Sequence, residues 1–130
     1  FLRFWFRYIN RNQDFIESGN LNGLAELIKS DYSTYSGMVL ERYFRQQLSE
    51  QMFYRNIGSW WETSKGKDMA QNEVDIVAIY ASNKKVLIGE VKRLRKNFKP
   101  KLLQQKVEFL RTKLFYNYEI ETKCFTIDDM

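Results

Sequence analysis

Two residues of opposite charge, Glu90 and Lys92, stand in the stretch LIGEVKRLRK, residues 87–96, where the flanking pattern is that of a buried strand. Alternate residues of a strand share a face, so Val86, Ile88, Glu90 and Lys92 lie together and the charged pair continues an apolar surface. The pattern recurs in EVDIVAIY, residues 73–80: alternation groups Glu73 and Asp75 with Val77 and Ile79, opposite Val74, Ile76, Ala78 and Tyr80. On the helix expected before these strands, Glu41 lies within about 60° of Gly37, Phe44, Leu48 and Met52. Three elements thus each insert a carboxylate into their own apolar surface. An unpaired buried carboxylate is costly, and neighbouring carboxylates repel unless a cation lies between them.

A hard divalent cation answers both problems, because carboxylate oxygens suit Mg²⁺ or Mn²⁺, and Mg²⁺ takes one or two protein carboxylates while keeping waters and substrate phosphate. Lys92, on the face of Glu90, would hold its ammonium beside the bound water or a phosphate oxygen. The chain has no histidine and one cysteine, Cys124. Structural zinc sites, Ser-His-Asp and Cys-His systems and an intrachain disulfide are therefore excluded within it. The net charge is +5, with Lys84, Lys85, Lys92, Arg93, Arg95, Lys96, Lys99 and Lys101 inside 18 residues whose only acid is Glu90. Arg93, Arg95, Lys96, Lys99 and Lys101 are the expected grip on a polyanion. Metal, lysine and basic run together would make a phosphodiester hydrolase that needs no histidine. The competing structural reading is a cross-strand ion pair between Glu90 and Lys92 on an edge strand, with Asp75 facing solvent and the lysines forming a solvated surface.

The elements that must position these groups follow from periodicity. FLRFWFRYI, residues 1–9, reads as a helix apolar over most of its circumference, which calls for cover on more than one side. With the Phe start, this raises the expectation that the chain is the C-terminal part of a longer protein. A turn at Ser18–Asn22 precedes a short helix carrying Leu24, Leu27 and Ile28, and a longer helix is expected from Tyr35 to Phe53. Strands are expected near Ser59–Ser64, at Glu73–Tyr80 and at Val86–Lys92, with turns KGKDMAQN and ASNKK between them. Pro100 opens a helix with Leu103, Val107, Leu110 and Leu114 on one face, and a last strand is expected near Ile120–Ile127. Short turns make the first three strands an antiparallel meander, and the helix before the last allows a parallel crossover. The expected fold class is an α/β sandwich with a small mixed sheet and extra N-terminal helices, divided as a helical segment 1–34 and a core domain 35–130. Adjacent Trp60 and Trp61 face opposite ways on a strand: both are read as structural, with one base-stacking tryptophan as the alternative. No segment reaches the roughly 18 uncharged apolar residues of a membrane span, and a cytoplasmic location is the expectation.

An acid on a helix, an acid inside a strand 15 residues before an E-x-K tripeptide, a hairpin between them and a helix and strand afterwards together resemble the PD-(D/E)XK nuclease superfamily. The resemblance covers about residue 35 to the end and implies a restriction-endonuclease-like core. It maps Glu41 to the first core helix, Asp75 to the strand acid, and Glu90-Val91-Lys92 to the tripeptide. By that likeness Asp75, Glu90 and the carbonyl of Val91 would bind the metal and Lys92 would orient the water. Val74 stands where the signature has proline. FLRFWFRYI, IGSWWE, EVDIVA and GEVK are similar, over nearly the whole chain, to the nuclease-like C-terminal domain of a group of archaeal and bacterial AAA-type ATPases. This likeness implies upstream ATPase and winged-helix domains as partners in the same protein, DNA as substrate, and leaves a homo-oligomer open. The chain itself has no G-x-x-x-x-G-K-[ST] loop. A non-catalytic nucleic-acid-binding or regulatory domain is the alternative function.

Overall fold

A computed structural model describes residues 1–62 and 73–130. The chain forms two compact units, Phe1–Ser36 and Gly37–Met130.

The first unit is helical. Leu2–Phe4 (α1) runs through a π-helical turn Trp5–Ile9 and a 3-10 turn Asn10–Asn12 into Gln13–Glu17 (α2). Gly19 then takes φ +72 and reverses the chain into Leu21–Glu50 (α3). Tyr8 is fully buried, its ring against Phe4 and Tyr35. Phe1, Leu2 and Phe6 are exposed. The two helices expected between residues 21 and 53 are one continuous helix of 30 residues. The polar stretch KSDYSTYS that separates their apolar patterns holds no proline, and the hydroxyls of Ser30 and Ser36 bond back to the carbonyls of Leu27 and Ser33. A polar interval without a breaker does not interrupt the backbone ladder.

The second unit is a mixed α/β layer structure. Tyr54–Trp61 (β1), Glu73–Tyr80 (β2) and Lys85–Val91 (β3) form an antiparallel meander. Pro100–Lys113 (α4) then carries the chain to Glu119–Phe125 (β4), parallel to β3, giving an open sheet in the order β1-β2-β3-β4. β1 starts earlier than the pattern shows. YRNIGSWW lacks a clean alternation and holds Asn56 and Gly58, but pairing with β2 outweighs these local signals. The expected residues 63–64 of that strand and the turn at 65–72 lie outside the described residues. Met52, with φ +58, makes the left-handed turn that releases the chain from α3 into β1.

Each face of the sheet carries one helix. Leu40, Phe44 and Leu48 of α3 pack on Ile76, Ala78, Leu87, Val91 and Phe125. Leu103, Val107 and Leu110 of α4 pack on Val74, Val86 and Ile88. The face assignment of β3 from alternation is therefore correct: Val86 and Ile88 meet α4, and Leu87 and Val91 meet α3. Gly89 is where the α3 side closes most tightly, since a Cβ there would lie 2.7 Å from the Phe125 ring and 3.3 Å from the Ile76 Cβ. Among the described residues, no helix is long and apolar enough to cross a membrane.

Candidate functional site

The ladder between β2 and β3 ends at the pair Ile76↔Gly89. One step further Asp75 would oppose Glu90, and there the strands part. The orphaned backbone N–H of Val91 donates to Asp75 Oδ2 at 2.8 Å, so a carboxylate takes the place of the next rung. Asp75 is thereby fastened to the middle residue of the Glu90-Val91-Lys92 tripeptide.

A bulge aims it there. The register of β1 on β2 shifts between Gly58↔Val77 and Trp60↔Val74, so Asp75 and Ile76 together oppose Ser59. Such an insertion breaks alternation and re-aims a side chain. Val74 accordingly joins Val77 and Ile79 on the α4 side, where strict alternation placed it opposite them. Asp75 leaves that face for the α3 side. This corrects the grouping of Asp75 with Val77 and Ile79, which assumed an unbroken strand.

On the α3 side Arg45 Nη1 donates to the backbone carbonyl of Asp75 at 3.0 Å and lies 3.8 Å from Glu41 Oε2. Glu41 is half-buried one helical turn before Arg45. Burial pushes its carboxyl above the usual range, and the nearby charge of Asp75 pushes it further. Burial likewise raises the carboxyl of Asp75; the Val91 N–H and Lys92 pull it back, and Glu90 adds to the rise. The helix acid and the strand acids thus feel one another, as the shared interruption of their apolar faces requires.

Glu90 is 2% exposed. Lys92 Nζ stands 3.2 Å from its Oε2, and Lys106 of α4 makes a short ion-paired hydrogen bond to its Oε1. The pair is not an edge-strand contact: β3 lies between β2 and β4, and Asp75 is half-buried rather than facing solvent. Lys106 escaped the sequence reading. Its signal was nonetheless there, since it lies about 60° from Leu103 on the apolar stripe of α4, the same angular criterion that singled out Glu41.

Arg93, Arg95, Lys96, Lys99 and Lys101 are all exposed. Arg95 is also tied to Asp129, at 3.2 Å, and lies 3.4 Å from the Thr126 hydroxyl, which fastens the turn after β3 to the C-terminal residues. Of the two tryptophans only Trp60 is structural, its ring 5.6 Å from Phe109. Trp61 is exposed.

Among the described residues, no group of three or more Asp, Glu, Cys or His side chains could hold a metal ion. The donor set on offer is Asp75, Glu90 and the Val91 carbonyl. Asp75 Oδ1 has no hydrogen-bond partner among the described residues, and the Glu41 and Asp75 carboxyls are raised first by burial and then by a neighbouring carboxylate, a condition that a divalent cation relieves. Two carboxylates with water and substrate oxygens suffice for Mg²⁺; Asp75 fits the ion directly, and Glu90 would exchange a lysine for it, since both of its oxygens face lysines.

A mixed sheet with a helix on each face, with Asp75 and Glu90 at the fork of its central strands and Glu41 on the helix α3, defines an α/β domain with a charged site at the strand ends. The chain belongs to the DUF234 family, described as archaeal and bacterial proteins of unknown function, whose model matches residues 5–107. It is also similar to an uncharacterized protein of Methanocaldococcus jannaschii, 34% identical over 99 residues, which covers 71% of this chain and 20% of the relative. The chain thus spans about a fifth of the length of that relative. No solved structure matches.

Proposed function

We propose that this chain is a metal-dependent nuclease-like domain of the PD-(D/E)XK type that hydrolyses DNA phosphodiester bonds. The observation that supports it is the 2.8 Å bond from the Val91 N–H to Asp75, which joins the strand acid to the E-x-K tripeptide at the point where β2 and β3 separate. Asp75, Glu90 and the Val91 carbonyl would hold Mg²⁺ or Mn²⁺, and Glu41 would support that shell from α3. When bound, the ion supplies Lewis acidity toward the phosphate and lowers the pKa of water. Lys92 directs its ammonium at the attacking water or at the phosphate oxygen that gains charge as the P–O bond breaks. Lys106 and Lys92 together face the two oxygens of the buried Glu90 carboxylate. Arg93, Lys96, Lys99 and Lys101 meet the flanking phosphates, which makes affinity fall with salt.

The reading extends to the full protein: a larger ATPase, with ATPase and winged-helix domains ahead of this one. The length of the M. jannaschii relative has room for such domains.

The full chain is expected to cleave plasmid or single-stranded DNA with Mg²⁺ or Mn²⁺, and Lys92→Ala is expected to remove cleavage while leaving DNA binding within about twofold, one phosphate contact at most. Absence of cleavage together with absence of Asp75-dependent Mg²⁺ binding by calorimetry overturns the catalytic reading. One observation favours a second reading, a non-catalytic nucleic-acid-binding or regulatory domain of the ATPase: both oxygens of Glu90 already face lysines. That reading predicts salt-sensitive DNA binding that survives Asp75→Ala.

A further inference from the structure

At the end of the basic run lies an open cleft of about 640 Å³ lined by Phe98, Lys99, Pro100, Lys101, Leu102 and Gln105. Its floor is apolar and its rim carries two lysines. Phe98 is held from beneath, packed on the cluster formed by Leu103, Val107 and Leu110. Its backbone is fixed as well: the Asn97 N–H donates to the Leu94 carbonyl and the Phe98 N–H to that of Arg95, each at 3.0 Å, while Arg95 is anchored to Asp129. An aromatic ring braced in this way loses little freedom when something stacks on it. The cleft also has a fixed relation to the acids. Leu102 and Lys106 are four residues apart on α4, hence neighbours on one side of the helix about 6 Å apart, and Lys106 bonds Glu90. The shelf therefore lies beside the turn of α4 that carries Lys106.

We propose that this shelf receives the base of an unpaired nucleotide next to the phosphate at Glu90, with Lys99 and Lys101 on the adjoining phosphates, so that the preferred substrate is single-stranded DNA. The inference rests on the nuclease-like reading for the phosphate at Glu90, and its chemistry is set by the shelf. In an intact duplex both faces of each base are covered by its neighbours. Only an unpaired base can offer a π-face to Phe98 and an edge to the Gln105 amide. A negatively charged strand with flat apolar bases is the occupant that matches an aromatic floor between lysines.

Binding of the full chain, measured by fluorescence anisotropy in EDTA so that no strand is cut, is compared for a short oligothymidylate, the same strand with abasic units, and a duplex of equal length. The base-bearing strand is expected to bind about tenfold more tightly than the abasic one, and more tightly than the duplex. Phe98→Leu keeps apolar volume on the core cluster and removes the π-face; it is expected to bring the ratio of base-bearing to abasic affinity to within about twofold. Lys99→Glu is expected to weaken both strands alike. Equal affinity for abasic and base-bearing strands, a duplex bound as tightly as the single strand, or a ratio untouched by Phe98→Leu overturns the proposal. Cleavage with Mg²⁺ is read separately, so a preserved ratio without cleavage removes the nuclease reading and leaves the shelf standing.

Discussion

Asp31 and Asp75 are both aspartates with an arginine close by, and their surroundings treat them in opposite ways. Asp31, on the part of α3 that belongs to the helical unit, accepts from Arg7 Nε at 2.7 Å, from Arg7 Nη2 at 3.0 Å and from the Tyr8 hydroxyl at 2.6 Å. Those bonds hold its carboxyl below the usual range. Asp75 meets Arg45 only through its backbone carbonyl, and burial pushes its carboxyl up. Asp31 is a completed ion pair whose electrostatics favour the charged form, so it reads as architecture. Asp75 and Glu41 are instead raised first by burial and then by a neighbouring carboxylate, so their surroundings disfavour the charged form. Glu90 lies between these cases, buried like the second and compensated like the first.

The largest expected effect comes from breaking the compensation of Glu90. Lys106→Ala leaves a carboxylate that is 2% exposed with one cation instead of two. Removing one partner of a buried pair costs about 3–5 kcal/mol, read as a lower urea midpoint. Adding Glu90→Gln to Lys106→Ala should recover most of this, because the cost is an uncompensated charge rather than lost packing. Lack of recovery would make Lys106 a packing residue and detach it from the site.

Next in size is the closure of the sheet beside the acids. Gly89→Ala would put a Cβ 2.7 Å from the Phe125 ring, and such overpacking costs about 1–3 kcal/mol. Phe125 is itself packed on Phe44, with ring centroids 5.0 Å apart, so the ring has little room to yield. Phe125→Leu in the same chain should return part of the loss. If Gly89→Ala unfolds at the wild-type urea midpoint, the strand fork is looser than the contact implies, and Asp75 is not held by it.

The meander, the Pro100 helix and the parallel last strand were legible because period-2 and period-3.6 patterns reach their ends at turn residues. The interruption of apolar faces by Glu41 and Glu90 was legible for the same reason, whereas the face that alternation gave Asp75 was wrong. The bulge at Asp75–Ile76 was not legible, since it is a property of the pairing with Ser59 across the sheet and no local signal in EVDIVAIY encodes it. The continuity of α3 was missed because a polar interval was read as a break. Lys106 was missed because only acids were sought on the helices. The division of labour within the basic run, with Arg95 turned to Asp129, depends on where the C-terminal turn lands, which the sequence of the run does not contain.

The smallest effect is also the most direct test of the contrast between Asp31 and Asp75, because it predicts opposite signs. Asp31 has a depressed carboxyl pKa in the folded chain. Its contribution is present above the unfolded value near 3.8 and is lost as pH falls through the lower folded value. Asp31→Asn should therefore lower Tm at pH 7, and the gap from wild type should close in acid. Asp75 has a raised carboxyl pKa, so the folded state holds a proton more tightly than the unfolded one. The resulting penalty is absent below the unfolded value near 3.8, grows as pH rises toward the folded value and is complete above it. Asp75→Asn keeps an amide oxygen for the Val91 N–H and removes the charge, so in EDTA it should raise Tm at pH 7 and leave it near wild type in acid. Millimolar Mg²⁺ should raise Tm for wild type and Asp31→Asn, through binding to the folded state alone, and leave Asp75→Asn unmoved. A fall in Tm for Asp75→Asn at pH 7 would place Asp75 with Asp31 among the completed pairs and leave the fork of β2 and β3 without an unbalanced charge for a metal to answer.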